Sequence, residues 1–164
     1  MQTGKAIQIG DHLPEVPLQR IGDGGVETVD TNTLFSDKKV VIFAVPGAFT
    51  PTCSERHLPG FVEHFEEFGK RGIEVACMSV NDPFVMQAWG RSQDVPDKLM
   101  MLADGNAEFT RALGLELDAS GYGMGTRAKR FALYAEDGVV RQLHVEAPGE
   151  YRVSSAEHVL SQLG

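Results

Sequence analysis

Only two cysteines, Cys53 and Cys77, occur in 164 residues, too few for a disulfide scaffold to hold the chain together. Positive charge is also scarce: 15 Lys and Arg stand against 23 Asp and Glu, for a formal net charge of −8 and a sequence pI near 5.1. That balance argues against general nucleic-acid binding, which needs a basic surface, and against docking on anionic membranes. No apolar run approaches the roughly 20 residues that span a bilayer. The N-terminal Met1-Gln2-Thr3-Gly4-Lys5 is not followed by the apolar stretch of a secretory signal. There is no internal repeat, low-complexity tract or interdomain linker. What the chain does have is 42% hydrophobic residues, enough for a core, so one domain over residues 1–164 in a cytoplasmic setting is expected.

The hydrophobic pattern gives alternating strands and helices. Thr31 to Phe35 reads as a short helix capped by Asp30 or Thr31, and the β-branched run Val40–Val45 as a buried strand. A helix follows from about Thr52 to Phe68, with Leu58, Phe61, Val62, Phe65 and Phe68 on one face and a kink or a broken first part expected from Pro59. Gly69 and Gly72 end it. Gly72–Val80 is a second strand, and Asp82-Pro83 opens a helix carrying Phe84, Val85, Ala88 and Trp89. Leu99–Ala103 is a third strand, followed by a short helix from Asn106 to Leu113. Arg130–Ala135 and Val139–Val145 flank the hairpin signal Glu136-Asp137-Gly138, and Ser154 or Ser155 caps a last helix running to Leu163. This order specifies an α/β fold, a central mixed β-sheet flanked by helices, with its first two long strands parallel and central.

The corner Pro46-Gly47-Ala48-Phe49-Thr50-Pro51-Thr52-Cys53 then falls at the carboxyl end of a central strand, where α/β folds place ligands. A thiol at a helix start meets unpaired N–H groups and the positive end of the dipole, which favour thiolate. A free cysteine is commonly a small buried hydrophobe. The neighbours of Cys53 are polar (Thr52, Ser54, Glu55 and Arg56), so a functional thiol is favoured. Cys77 lies among Val75, Ala76, Met78 and Val80, which favours an inert strand-core thiol over a second redox cysteine. Thr50, one turn before Cys53, reads either as a helix cap or as a hydrogen-bonding partner at the site. Pro46 either ends the strand or shields the sulfur from water. Arg127, Lys129 and Arg130 are either a solvated basic face or the source of a charge partner for the thiolate. The five histidines share no ligand spacing and no metal site is expected; the cysteines do not form a C-x-x-C pair. Gly121-Tyr122-Gly123-Met124-Gly125 reads as a flexible loop, not a nucleotide cradle, since it neither follows a clear strand nor opens a helix.

The pattern Pro46-x-x-x-Thr50-x-x-Cys53 resembles the active-site signature of the peroxiredoxins. The longer string through Cys53-Ser54 and His57-Leu58-Pro59-Gly60-Phe61 is similar to the type II, peroxiredoxin-5-like branch. So are Ala76-Cys77-Met78-Ser79-Val80-Asn81-Asp82, Trp89-Gly90-Arg91, Leu102-Ala103-Asp104 and Lys129-Arg130-Phe131. The resemblance runs from about residue 4 to the C-terminus. It implies a thioredoxin fold and a peroxidase acting on hydrogen peroxide and organic hydroperoxides. Cys53 would be the peroxidatic nucleophile, Thr50 a contact to thiolate and peroxide, Pro46 the shielding proline and Arg130 the active-site arginine. Thr52 and Cys53 would offer their backbone N–H groups to substrate, and Arg127 would be a nearby substrate-binding residue.

Some type II members carry a resolving cysteine near the last helix, where this chain has Val153-Ser154-Ser155. Regeneration of the Cys53 sulfenic acid by glutathione and glutaredoxin is therefore expected, with no bound cofactor. Thioredoxin acting through a Cys53–Cys77 disulfide is the alternative. The family further suggests a homodimer packed near the site, with Phe49, Phe84 or the 115–124 loop contributing. A thioredoxin-fold binding or chaperone module without turnover is the contrasting class. Pro46, Thr50, Cys53 and Arg130 together weigh against it, since a scaffold would not need them.

Overall fold

The computed structural model describes residues 6–163. The chain runs through strands β1 (Pro17–Gly22) and β2 (Gly25–Asp30), helix α1 (Thr31–Phe35) and strand β3 (Lys39–Val45). A π-helical turn, Cys53–His57, leads into α2 (Leu58–Glu63) and α3 (Phe65–Lys70). Next come β4 (Ile73–Ser79), α4 (Pro83–Ser92), β5 (Met100–Ala103), α5 (Glu108–Leu113), β6 (Glu116–Asp118) and β7 (Thr126–Ala128). The hairpin β8 (Phe131–Glu136) and β9 (Val139–Val145) and the helix α6 (Ala156–Ser161) close the fold. Seven strands form one mixed sheet in the order β2-β1-β5-β4-β3-β8-β9. β3 and β4 lie near its middle and are parallel, as the helical crossover between them requires.

The two-residue period of β3 divides the core. Val41, Phe43 and Val45 face a cluster that includes Phe61, Phe68, Met86, Trp89 and Val159, from α2, α3, α4 and α6. Val40, Ile42 and Ala44 face the opposite cluster with Leu34 and Phe35 of α1 and Phe109 and Leu113 of α5. A strand covered on both faces is a continuous apolar run, which is why Val40–Val45 stands out in the sequence. Asp82 caps α4 by accepting from Val85 N at 2.9 Å, with Pro83 in the first helical position. In the β8–β9 turn Asp137 and Gly138 both take positive φ, at 50° and 76°, the backbone a tight two-residue hairpin needs.

Several expectations are corrected. The helix placed over Thr52–Phe68 is three pieces, and the main break falls at His64 (φ −98°, ψ 8°). The part before Pro59 is a π-helical turn, the broken first part expected there, and Pro59 itself lies at the start of α2. The β1–β2 hairpin lacks any counterpart in the sequence reading, although Asp23-Gly24 between its strands is a hairpin signal. The 121–125 segment does follow a strand. It sits between β6 and β7, with a 3-10 turn at Ser120–Tyr122. Of the two serines expected to cap the last helix, Ser155 does so, accepting from His158 N at 3.1 Å.

Candidate active site

At the end of β3 the chain turns through residues 46–52, and the turn is fastened from several sides. Asn81, just past β4, accepts from Ala48 N at 3.0 Å and from Ser79 Oγ at 2.5 Å through one oxygen. Gly47 is packed so closely that a Cβ there would lie 3.0 Å from Met124 Cε and 3.1 Å from Thr50 Cγ2. Phe49 adopts a left-handed backbone (φ 66°), rare for a bulky side chain, and leaves its ring exposed. Thr50 Oγ donates to Gly47 O at 2.6 Å. Its proton is thus spent inside the turn, and only its lone pairs are left to accept from a ligand.

The turn delivers Cys53 to the start of the π-helical segment with its side chain inward. Cys53 is fully buried, beside the cluster that holds Phe43, Val45 and Trp89. Polar neighbours along the chain do not prevent this, because the helix start turns them outward: Glu55 and Arg56 are exposed. Burial therefore does not separate the two cysteines, since Cys77 is fully buried as well.

Arg130 enters from the short segment between β7 and β8. Its Nη2 donates to Cys53 Sγ at 3.2 Å and its Nη1 to His57 Nδ1 at 3.0 Å. Cys53 and His57 are four residues apart on one helical face, so one guanidinium reaches both. His57 is completely buried, and its Nε2 lies 2.9 Å from Ser154 O. Neither partner leaves the tautomer open. Arg130 can only donate and a carbonyl can only accept, so His57 carries its proton on Nε2 and offers Nδ1 as acceptor. Burial, reinforced by the Arg130 charge and opposed by the Ser154 carbonyl, pulls the His57 pKa down to about 3. The imidazole is neutral at any working pH.

The remaining expected site residues are placed as follows. Pro46, Thr52 and Arg130 lie in the wall of a cavity of about 200 Å³ whose other sides include Leu117, Lys129 and Pro148. Arg127 does not contact Cys53. It braces the turn instead, donating from Nε to Met124 O at 2.9 Å and from Nη1 to Pro46 O at 3.4 Å. Cys77 is buried on β4, opposite Phe43 in register and in the same cluster as Cys53. Burial pushes its thiol well above the ordinary range, with the nearby Cys53 adding to the rise and Arg130 opposing it. Both cysteines are free.

Sequence reading missed the groups that support this centre. His57 enters the sequence reading as a rejected metal ligand and as part of a family-like string, without a role at the site; its spacing of four from Cys53 is the available signal. Trp89 Nε1 donates to Ser54 Oγ at 3.0 Å, tying α4 to the π turn. Tyr151 covers the same turn from the other side, its ring 4.7 Å from the Arg56 guanidinium carbon and 5.3 Å from the His57 ring. No sequence signal marks either contact, since both join segments distant in the chain.

The Redoxin family model matches residues 8–160. The chain is 48% identical to Peroxiredoxin-2E, chloroplastic, of Arabidopsis thaliana, covering 96% of this chain and 70% of that one. It is 45% identical to Peroxiredoxin-2B of the same plant, over 96% and 98% respectively. Among solved structures, reduced Prx3 from Vibrio vulnificus in complex with hydrogen peroxide superposes with a TM-score of 0.93 at 47% identity, covering 96% of this chain and 99% of that one.

Proposed function

The chain belongs to the Redoxin family, as a type II peroxiredoxin with the thioredoxin-like fold and thiol peroxidase activity of that group, and from this we propose that Cys53 is its peroxidatic nucleophile. The observation that carries the assignment is the Arg130 guanidinium, shared between the Cys53 sulfur and a neutral His57. A cation at 3.2 Å stabilises negative charge on sulfur in a site closed to water. The thiolate attacks the terminal oxygen of the hydroperoxide, the O–O bond breaks, and its electrons leave with the alkoxide or hydroxide. That oxygen takes up a proton to give an alcohol or water, and Cys53 becomes a sulfenic acid. In this reading Arg130 and the backbone N–H groups of Thr52 and Cys53 stabilise the charge that develops along the O–O bond. The free lone pairs of Thr50 Oγ suit the peroxide O–H, and Pro46 closes the approach to bulk water. Hydrogen peroxide and organic hydroperoxides fit this reading, the former also being bound in the Vibrio relative.

Replacing Cys53 by Ser is the direct test: peroxide consumption is expected to stop, and an unchanged rate would remove the assignment.

For the return step, an external thiol, glutathione with glutaredoxin, suits the structure better than Cys77. A buried thiol pushed well up in pKa is a poor thiolate at neutral pH. The opposing reading, a Cys53–Cys77 disulfide reduced by thioredoxin, draws on the shared core cluster of the two cysteines. Mass spectrometry after one equivalent of peroxide separates them. A gain of one oxygen, or a glutathione adduct when glutathione is present, is expected; loss of two hydrogens would select the intramolecular disulfide. The cycle draws on no bound cofactor in this reading, and a reducing compartment such as the cytoplasm supplies the thiol. Exposed Phe49, Phe84 and Tyr122 support a homodimer, which sedimentation of the protein against a Phe84→Lys variant would test.

A further inference from the structure

Glu146 is a buried carboxylate that the peroxidase chemistry leaves unexplained. Its Oε2 accepts from four donors: Arg152 N, Val153 N and Ser154 N at 2.8 Å each, and Ser154 Oγ at 2.7 Å. Three successive backbone N–H groups wrapped round one oxygen form an anion nest, here filled from within the chain. The nest fixes the peptide that presents Ser154 O to His57 Nε2. From His57 the bonds continue to Arg130 Nη1, and from Arg130 Nη2 to Cys53. The other end of the chain of bonds returns to its start, because Glu146 N donates to Arg130 O at 2.9 Å. Glu146 therefore holds the arginine backbone with its own backbone, and holds the arginine head group through Ser154 and His57. The result is a closed ring of hydrogen bonds around the guanidinium.

We propose that Glu146 is a positioning residue for Arg130, setting the guanidinium on the Cys53 sulfur through Ser154 O and His57. The proposal rests on the peroxidase reading for its kinetic consequence, but not for its effect on the cysteine itself. Glu146 lies at the end of β9, and no part of it touches Cys53. Its reach comes from the requirement that each buried donor in the ring find its acceptor. Once the 152–154 turn loosens, Ser154 O leaves His57 and the imidazole can rotate. Arg130 then loses the acceptor that orients Nη1.

The test compares Glu146→Gln with Asp104→Asn. Asp104 is a matched control: a buried carboxylate that accepts from Phe109 N, Thr110 N and Thr110 Oγ at the start of α5, on the far face of the sheet. Two readouts are taken: the second-order rate with hydrogen peroxide, and the pH midpoint of Cys53 alkylation by iodoacetamide. Glu146→Gln is expected to slow the peroxide step about tenfold, some 1.4 kcal/mol, and to move the alkylation midpoint upward. Asp104→Asn is expected to lower stability and leave both readouts in place. In an Arg130→Ala background the Glu146→Gln effect should shrink to less than about twofold, since a residue acting through Arg130 cannot couple to a missing guanidinium. Equal losses with and without Arg130, or a wild-type alkylation midpoint in Glu146→Gln, would overturn the proposal. Should wild type fail to consume peroxide, the peroxidase reading falls, while the alkylation profile still decides the role of Glu146.

Discussion

Arg130 illustrates how much one side chain can be asked to do when its donors are fixed in a plane. Both terminal nitrogens are committed, one to sulfur and one to an imidazole that can accept only because it is neutral. A lysine in its place would keep the charge but offer a single point donor on a flexible stem. Arg130→Lys is accordingly expected to lose about a hundredfold in the second-order rate with peroxide, in the range found when an oriented transition-state donor is removed. Stopped-flow kinetics would measure it, and a loss under about threefold would mean that charge alone suffices. At this scale the sequence was unevenly informative. Cys53 stood out because polar residues surround a thiol at a strand–helix corner. Arg130 was one of two readings of a basic cluster, and only the resemblance separated it from Arg127, which turns out to brace Pro46. The roles of His57, Ser154 and Glu146 around Arg130 could not be read, because His57 meets Arg130 across 73 positions and Ser154 across 97, and such contacts leave no local pattern.

Among the elements, the π-helical turn has the greatest consequence for function. It brings Cys53 and His57 onto the face that Arg130 reaches, yet it buries the sulfur completely. In the proposed cycle a bulky thiol cannot meet an oxidised Cys53 until that turn opens, and the Trp89–Ser54 hydrogen bond ties the turn to α4. Trp89→Phe keeps an aromatic ring in the core and deletes the N–H. The loss of one such bond, about 1 kcal/mol, should make opening roughly fivefold more frequent. Reaction of Cys53 with a bulky aromatic disulfide reagent should accelerate by that factor, whereas the peroxide rate, which needs the closed turn, should not rise. An unchanged reagent rate would show that the bond is no latch. The apolar run of β3 and the Asp82-Pro83 start of α4 could be read directly, because local chemistry fixes them. The π turn itself could not: its departure from a 3.6-residue period is too small to register in five residues, and Pro59 marked only that the first part of the helix would be kinked or broken.

For the whole molecule, the two faces of the sheet carry different burdens. One packs α1 and α5 against the sheet with an apolar cluster; the other encloses a thiol, an imidazole and a guanidinium within its core. That second face makes stability depend on pH in a definite direction. His57 titrates near 3 in the folded protein and near 6.5 when unfolded, so between those values the unfolded chain binds a proton that the native state refuses. His144 is lowered too, by burial and by the facing His158, and adds in the same sense. Glu146 contributes at lower pH. Burial opposes its ionisation, but the Ser154, Arg152 and Val153 donors prevail and hold it below the usual carboxylate range, so its stabilisation is lost as pH falls through that lowered value. Stability should therefore hold around neutral pH and decline below about pH 6.5, with His57 alone approaching 1.4 kcal/mol per pH unit near pH 5. Urea unfolding at pH 7, 6, 5 and 4.5 would trace the decline. His57→Gln, which can still donate toward Ser154 O but does not titrate, should be less stable at pH 7 and yet lose less between pH 6 and 5. An identical slope in that variant would place the acid sensitivity elsewhere in the fold.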